Sequence, residues 1–576
     1  MNSQEVAQLL ETIANLLEIQ GDSSFRIRAY RDAARHIENM VQDISQLQEE
    51  GRLQEIPGVG PSIASKIDEY MRTGRLAYLE QLKESVAPGL GQLLEVPSLG
   101  PHRAKVIHDQ LGISTIGELE RAANEHRLCS LPGIREKTEE RIRREVRRVQ
   151  QRTRRLLLGV ALPAAEQVAG ALRENPAVQR AEPTGSIRRM KETIGDIDIL
   201  VASDRPGEVM DAFVALPFVK EVLLKGSTKT SVLTRSNLQV DVRVVRPAEW
   251  GSALQYFTGS KEHNIALRDL AIQQGLKLSE YGLFEVRTGR RIGGVTEEEV
   301  YHDLGLQWIP PELREDHGEI EASMTGRLPR LIEESDLRGD LHIHTNWSDG
   351  TEPLEAMVEA ARARGYAYVA ITDHSIGLSV AHGLSVERVR KQRRLIDRLN
   401  EQYAPFRILH GTEVDIRADG TLDYDDEVMR EFDIVTASVH SGFSRPRDKM
   451  TERILRAVRN PFVDILNHPS GRLLGKRPEY AVDLEAVIRA AAEAGTALEV
   501  NSQPDRMDLD AGWARRAKEA GAILVIDTDS HAGDQLRNIR YGVAIARRGW
   551  IEAKDVLNTL PLDKLLRRLH PARKAA

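Results

Sequence analysis

Cysteine is almost absent. Cys129 is the only one in 576 residues, so no intramolecular disulfide can form, and a reducing cytoplasm is the expected setting. With one thiol available, any metal site must draw on His, Asp and Glu. Long apolar runs are missing as well. No stretch approaches the roughly 20 consecutive apolar residues that a membrane helix needs, so no membrane partner is expected. Met1 to Leu10 carries no basic region followed by an apolar core, and no secretory signal is expected.

Hydrophobic residues make up 41% of the chain and charged residues 29%, a balance that excludes an intrinsically disordered protein. The length exceeds one hydrophobic core and predicts roughly three to five domains. A net charge of −7 argues by itself against nucleic acid binding. The charge is uneven, however: Arg135 to Arg155 reads REKTEERIRREVRRVQQRTRR. Such a run is commonly a solvated helix face. It can also hold phosphates on a globally acidic chain, and the neighbouring motifs must decide.

Residues 1 to about 150 read as helical, with Val6, Leu9, Leu10, Ile13, Leu16 and Leu17 at helical spacing. Three Gly-centred turns interrupt the helices. They are Ile56-Pro57-Gly58-Val59-Gly60-Pro61, Val96-Pro97-Ser98-Leu99-Gly100-Pro101 and Leu131-Pro132-Gly133-Ile134. Each precedes a helix whose first N–H groups and dipole suit a phosphate, and glycine lets the backbone approach it. The turns resemble the helix-hairpin-helix motif, which grips DNA backbones without reading sequence. Gly58, Gly60, Gly100 and Gly133 are the candidate DNA contacts.

From about 155 strand-like runs appear at Asp196–Val201, Val222–Leu224 and Leu238–Val245. From Leu337 short apolar runs alternate with helical segments: Tyr368–Thr372, Arg407–His410, Ile434–His440, Val463–His468, Ala497–Asn501 and Ala522–Asp527. That alternation predicts an α/β barrel or a layered sheet.

The first candidate site lies in Thr184 to Leu200, TGSIRRMKETIGDIDIL. Alternate side chains of a strand share a face, so Asp196 and Asp198 point one way and Ile197 and Ile199 the other. Two carboxylates side by side repel unless a divalent cation joins them. Leu238 to Val244 repeats the logic, with Val240, Val242 and Val244 inward and Asp241 outward. If the two strands are neighbours, three carboxylates converge. They would then hold two Mg²⁺ ions about 3.5–4 Å apart, the clamp used in phosphoryl transfer. A bare Asp-x-Asp is more often a solvated strand edge. Here Gly185-Ser186 and Arg188-Arg189 add phosphate donors beside it.

This array resembles the family X DNA polymerases, the group that contains polymerase beta. The resemblance implies a nucleotidyl-transfer site at Gly185, Ser186, Arg189, Asp196, Asp198 and Asp241, using Mg²⁺ or Mn²⁺. It extends to Tyr256-Phe257-Thr258-Gly259-Ser260, which would lie beside the sugar of an incoming dNTP. It also implies that Asn264 meets the minor-groove edge of the new base pair and Arg268 the template strand. Read without the family, Tyr256 and Phe257 are ordinary core aromatics. Gly58 to Glu69 looks like the family's small lyase domain, with Lys66 at its Schiff-base nucleophile. A lysine does that chemistry when its pKa is lowered; the other reading is a surface lysine on a DNA-binding helix. Ser62 stands where a relative carries a phosphate-binding lysine.

The second candidate site is a set of His, Asp and Glu residues, most of them ending apolar runs: His342, His344, Asp349, Asp373-His374, Glu413, His440, His468, Asp529 and His531. Strand C-termini supply the active sites of α/β barrels. Imidazole and carboxylate without thiolate suit Zn²⁺, Mn²⁺ or Fe. The pattern resembles the PHP domain, a distorted seven-stranded barrel with a trinuclear site. That resemblance implies His342, His344, Glu413 and Asp529 on one ion, Glu413, His440 and His468 on a second, and Asp349, His374 and His531 on a third. PHP domains fused to polymerases resemble 3′–5′ exonucleases and 3′-end-cleaning enzymes.

The expected organisation is therefore multidomain. An all-α helix-hairpin-helix region has a lyase-like part at 1–85 and a fingers-type part at 86–153. An α+β nucleotidyltransferase palm spans 154–245, and a nucleotide-selecting thumb 246–318. A linker at 319–336 leads to a distorted (β/α)7 PHP barrel at 337–576. The expected activity is DNA-directed gap filling in base excision repair with 3′-end trimming. The expected partners are gapped or primed DNA and dNTPs, and the expected state is a cytoplasmic monomer. Three other readings stay open on sequence: template-independent transfer, a DNA-end-binding scaffold, and a small-molecule phosphatase in the PHP half.

Overall fold

Proline at the first position of a helix loses no backbone hydrogen bond, and the helices after the first two Gly-centred turns, Pro61–Thr73 and Pro101–Leu111, both begin that way. In the first, the Gly60 carbonyl accepts from the N–H groups of Ile63 and Ala64 at 3.0 and 2.9 Å. In the second, Gly100 is the N-cap and its carbonyl accepts from Ala104 N–H at 3.0 Å. The third turn leads to helix Glu136–Thr153. Gly58 has a φ of +85°, and a Cβ there would lie 3.2 Å from the Ala33 amide nitrogen, so only glycine lets this turn pack on its neighbour.

The computed structural model describes residues 3–569 except 21, 39–43, 50, 74–75, 86–92, 94–95, 97–98 and 154. Pro97 and Ser98 of the second turn, and the 85/86 boundary beside them, thus touch residues outside those described. The chain divides into two compact units, Met1–Arg155 and Leu156–Ala576.

The first unit is helical. All six apolar positions singled out in helix Ser3–Gln20 are buried in one core with Val59, Ile63, Ile107, Ile134 and Ile142. The basic run forms helix Glu136–Thr153, anchored by buried Ile142 and Val146. Its side chains at 144–145 and 147–154 lie outside the described residues.

In the second unit, a five-stranded sheet has the spatial order Arg180–Pro183, Ile197–Ala202, Gln239–Val245, Lys229–Thr234, Val219–Lys225. Ile197, Ile199, Val240, Val242 and Val244 face its core. Helices Trp250–Thr258, Lys261–Gln273 and Glu297–Asp303 then surround a three-stranded antiparallel sheet. The stretch 319–336 opens with helix Glu319–Met324 and closes against the last region, where Ile332 N–H donates to Ile551 O at 3.0 Å.

The remainder is a single sheet of seven parallel strands in sequence order: Gly339–Ile343, Tyr368–Ile371, Arg407–Asp415, Ile434–Ser438, Ile465–Leu466, Ala497–Asn501 and Leu524–Asp527. The first and last strands approach each other. Ile343 and Ser530 form a parallel bridge, and Leu341 N–H donates to Asp527 Oδ1 at 2.8 Å. The sheet is therefore a nearly closed barrel rather than a layer, with its strand C-termini on one rim.

Candidate active sites

Strands Ile197–Ala202 and Gln239–Val245 are parallel neighbours, with Ile197 opposite Val240 and Asp198 opposite Asp241. Because the valines and isoleucines fill the core, period-two alternation puts both aspartates on the other face. Asp196 immediately precedes the first strand. Burial, then the charges of Asp196 and Asp241, push the Asp198 carboxyl up to about 6. Asp241 is held low despite burial, by hydrogen bonds from Gln239, Lys229 and Ser231; the Lys229 ammonium lies 2.9 Å from its Oδ2. Crowded carboxylates of this kind suit a divalent cation, which relieves their repulsion.

The Gly185 turn sits on the same strand end. Thr184 N–H donates to Asp198 O at 2.9 Å, and a Cβ on Gly185, whose φ is +63°, would lie 3.4 Å from Asp198 Oδ2. The two following arginines go to different partners. Arg188 makes a bidentate pair with Glu297 at 2.6 and 2.9 Å and donates to Thr258 Oγ1. Arg314, fully buried, joins the same Glu297 at 2.6 Å. Although burial favours its protonation, Arg314 and Arg188 hold Glu297 far below the carboxylate range. Arg189 donates through Nε to Glu315 at 3.1 Å and through Nη1 to the Thr258 carbonyl.

Tyr256 and Phe257 meet edge to face, centroids 5.1 Å apart at 85°, and Arg243 lies over the Phe257 ring at 4.7 Å. Gly259 ends that helix with a φ of +68°, and a Cβ there would meet Arg189 Nη1 at 3.0 Å. Asn264 donates to Tyr256 O at 2.8 Å and accepts from Gln255 at 2.7 Å, while Arg268 Nε donates to Asn264 O at 3.2 Å. Ser186 lies in the short helix Gly185–Arg188. Sequence reasoning missed Glu297, Arg314 and Glu315. The arginine–carboxylate pairs that place them, Arg188–Glu297, Arg314–Glu297 and Arg189–Glu315, span 109, 17 and 126 residues, beyond any local pattern.

In the first unit, Lys66 Nζ donates to Ser62 Oγ at 2.8 Å and sits 4.7 Å above the Tyr78 ring. Burial, then the Arg26 charge, lower its pKa.

The nine barrel residues converge. Glu413 is central, with its oxygens 3.5 Å from His342 and His344, 3.0 Å from His374, 3.6 Å from His440 and 3.3 Å from His468. Asp529 Oδ1 lies 3.5 Å from His342 and 3.3 Å from His344. Asp349 lies 3.4 Å from both His374 and His531. Donor atoms group as His344, Asp349, His374 and His531; His342, His344 and Asp529; and His374, Glu413 and His440. This differs in detail from the division that the resemblance implied, since His344 reaches two groups and His374 joins Glu413. Nδ1 of His344, His440 and His468 is buried and makes no hydrogen bond among the described residues. With oxygen and imidazole donors only, the set fits divalent metal.

The charges in the cluster balance locally. Glu413 and Asp349 overcome burial and push His374 up to about 10. Burial, with His531 and His374, pushes His344 down to about 3. His468 and Asp529 adopt positive φ, 30° and 51°, strain of the sort that functional sites retain. The barrel also supplies residues that sequence reading did not single out. Glu499 Oε1 lies 2.6 Å from His342 Nδ1 and fixes that ring from behind. Asp415 lies 3.4 Å from His440 Nδ1. Arg506 Nε lies 3.5 Å from Asp529 Oδ2. Asp373 accepts from Thr345, Ser348 and Gln392 instead of joining the cluster. Glu499 stands between Leu498 and Val500 inside strand Ala497–Asn501, so no strand end marks it in the sequence.

Four family models match the chain: a helix-hairpin-helix domain over residues 1–76, a SAM-like helix-hairpin-helix tandem over 90–148, the DNA polymerase beta thumb over 253–315, and the PHP domain over 340–503. The DNA polymerase/3′-5′ exonuclease PolX of Bacillus subtilis (strain 168) is 40% identical over 564 residues, which is 98% of each chain. A probable phosphatase of Shewanella sp. (strain ANA-3) is 33% identical over 240 residues, 40% of this chain and 86% of that one. Another, of Thermoanaerobacter sp. (strain X514), is 28% identical over 232 residues, 38% of this chain and 90% of that one.

Proposed function

Because this chain belongs to the family X DNA polymerases, in the form that ends in a PHP domain, we propose that it fills short gaps in DNA by templated transfer while the PHP barrel trims 3′ ends, as base excision repair requires. It is a DNA-directed DNA polymerase with a PHP 3′–5′ exonuclease, it binds DNA, and its chemistry depends on divalent metal. The observation that carries the polymerase reading is the pairing of Asp198 with Asp241 beside Asp196.

Asp196, Asp198 and Asp241 would hold Mg²⁺ or Mn²⁺, which supplies Lewis acidity to the primer hydroxyl and the triphosphate. The remaining work falls to the chain itself. Gly185 and Ser186 offer donors to phosphate oxygens, and Arg189 keeps Nη2 for the triphosphate after committing Nε and Nη1. Tyr256 and Phe257 form a wall that would exclude a 2′-hydroxyl, and Gly259 lets Arg189 pack against the chain. Asn264 and Arg268 would face the new base pair and the template. The turns at Gly58, Gly60, Gly100 and Gly133 would hold duplex phosphates on either side of a gap. Lys66 would act as the nucleophile on a 5′-deoxyribose phosphate.

In the barrel, His342, His344, Asp349, His374, Glu413, His440, His468, Asp529 and His531 would hold up to three Zn²⁺, Mn²⁺ or Fe ions, whose Lewis acidity activates water against a phosphodiester. Template-independent transfer, an inactive scaffold and a small-molecule phosphatase are not favoured. The full-length similarity runs to a polymerase/exonuclease, whereas the probable phosphatases match only 38–40% of this chain. Among the described residues no helix is long and apolar enough to cross a membrane; we read the protein as a cytoplasmic monomer.

The test is incubation of the intact chain with a labelled one-nucleotide gap and, in parallel, a labelled single-stranded primer, each with dNTPs and Mn²⁺. Extension on the gap directed by the template base is expected. Equal, untemplated extension of the single strand would sink the reading.

A further inference from the structure

Arg189 does not hold its position alone. Its Nε donates to Glu315, and Glu315 also accepts from Arg548 at 3.0 Å and lies 3.5 Å from Lys191. The same Arg548 Nη1 donates to the backbone carbonyl of Arg189 at 2.7 Å. Arg548 therefore touches Arg189 twice, once directly and once through its carboxylate partner. All three side chains are only 12–13% exposed, so these charge-assisted bonds escape most solvent screening. Arg189, Arg548 and Lys191 hold Glu315 low against its burial.

Arg548 belongs to the barrel. It is the last residue of helix Ile539–Arg548, whose buried face includes Tyr541, Val543 and Ile545 and packs on strands Ala497–Asn501 and Leu524–Asp527. The preceding residue, Arg547, pairs instead with Glu312 at 2.8 Å and donates to Ile332 O. It thus ties the barrel to the segment before Glu315 without touching Arg189.

We propose that Arg548 is a positioning residue for nucleotide incorporation: the PHP barrel fixes, through Arg548 and Glu315, the guanidinium that meets the incoming triphosphate. This rests on the reading of Arg189 as a triphosphate ligand. Two of the three Arg189 nitrogens are immobilised by Glu315 and Thr258 O, so the third is presented without loss of side-chain freedom on binding. A polymerase site thereby depends on a residue that lies 359 positions away and belongs to the domain of the other activity.

The experiment compares steady-state dNTP incorporation on a gapped duplex by the full chain and its Arg548→Ala, Arg548→Lys, Arg547→Ala and Arg189→Ala forms, with exonuclease rate measured on each preparation. Losing one charge-assisted contact should raise the KM for dNTP about tenfold in Arg548→Ala, with kcat and the exonuclease rate within about twofold. Arg548→Lys should fall between Arg548→Ala and the unaltered chain, because lysine keeps the charge but not the fork. Arg547→Ala should leave KM unchanged. If Arg189→Ala raises KM but Arg548→Ala does not, the inference is wrong and the nucleotide site stands. Equal increases in Arg547→Ala and Arg548→Ala, or loss of exonuclease activity in Arg548→Ala, would mean general domain docking and also overturn it. If Arg189→Ala leaves KM unchanged, the triphosphate reading of Arg189 fails and the inference falls with it.

Discussion

Asp198 lies directly opposite Asp241 on the neighbouring parallel strand, and Asp196 comes one residue before the Asp198 strand, Ile197–Ala202, begins. Asp241→Asn keeps the shape of the site but removes a charge from it. A metal clamp contributes several kcal/mol to phosphoryl transfer, so dNTP incorporation should fall at least about a hundredfold. Exonuclease activity should stay within about twofold, because the barrel cluster is separate. Primer extension and 3′ degradation on one preparation check this; unchanged incorporation would mean that the site is misassigned.

Glu413 is the carboxylate shared by five histidines. Glu413→Gln should lower both the bound divalent metal, measured by elemental analysis, and the exonuclease rate, by about a hundredfold or more. Gap filling should persist. Full metal content with full exonuclease activity would remove Glu413 from the reaction.

Glu297 is buried between Arg314 and Arg188. Glu297→Gln leaves two guanidinium groups without their anion. Breaking a buried pair in this way costs about 3–5 kcal/mol. Denaturant unfolding of the full chain should show the loss in the transition of the larger unit, and a change under about 1 kcal/mol would contradict it.

His263 is fully buried between Glu319 and the Tyr301 hydroxyl, at 2.6 and 3.0 Å. Burial lowers its pKa despite Glu319. The unfolded chain therefore takes up a proton below about pH 6.5 that the folded chain resists. Stability from this group is present above that pH and drains away as pH falls towards the lower folded value. Melting temperatures between pH 7 and 5 should decline more steeply in the unaltered protein than in His263→Gln; parallel slopes would rule the residue out.

Lys66 has the depressed pKa and the Ser62 contact of a poised amine. Borohydride should trap the full chain on a 5′-deoxyribose phosphate. Lys66→Ala should lose at least nine-tenths of that adduct, an effect of about tenfold, while still filling gaps. A persistent adduct would put the Schiff base on another lysine.

Much of this was legible in one dimension. Period-two alternation around Asp198 and Asp241 makes their common face legible, since core packing leaves a strand no other choice; Asp196 precedes the strand and lies outside that rule. The histidines and acids at the ends of apolar runs were legible because strand ends are where a barrel presents polar groups. Glu499 is not legible in this way: it is fully buried in the middle of strand Ala497–Asn501, and nothing local distinguishes a carboxylate that orients a ligand from one that pairs with the backbone. Asp373 stands beside His374 in the candidate set, yet it braces Thr345 and Ser348, and of the two only His374 reaches Glu413.

The sequence by itself determined the donor chemistry and the faces: no thiolate cluster, carboxylates alternating with valine and isoleucine, glycine at turns that need it. Those properties are local, set by backbone geometry over two to four residues. Only the tertiary structure decided that Asp241 meets Asp198 and not Asp196, that the seven strands curl until Ile343 reaches Ser530, and that Arg189 leans on Glu315 and Arg548 while Arg188 takes Glu297. Two adjacent arginines are chemically identical in sequence. Which carboxylate each one finds depends on how three packed regions meet, and long-range packing energy, not local propensity, sets that choice.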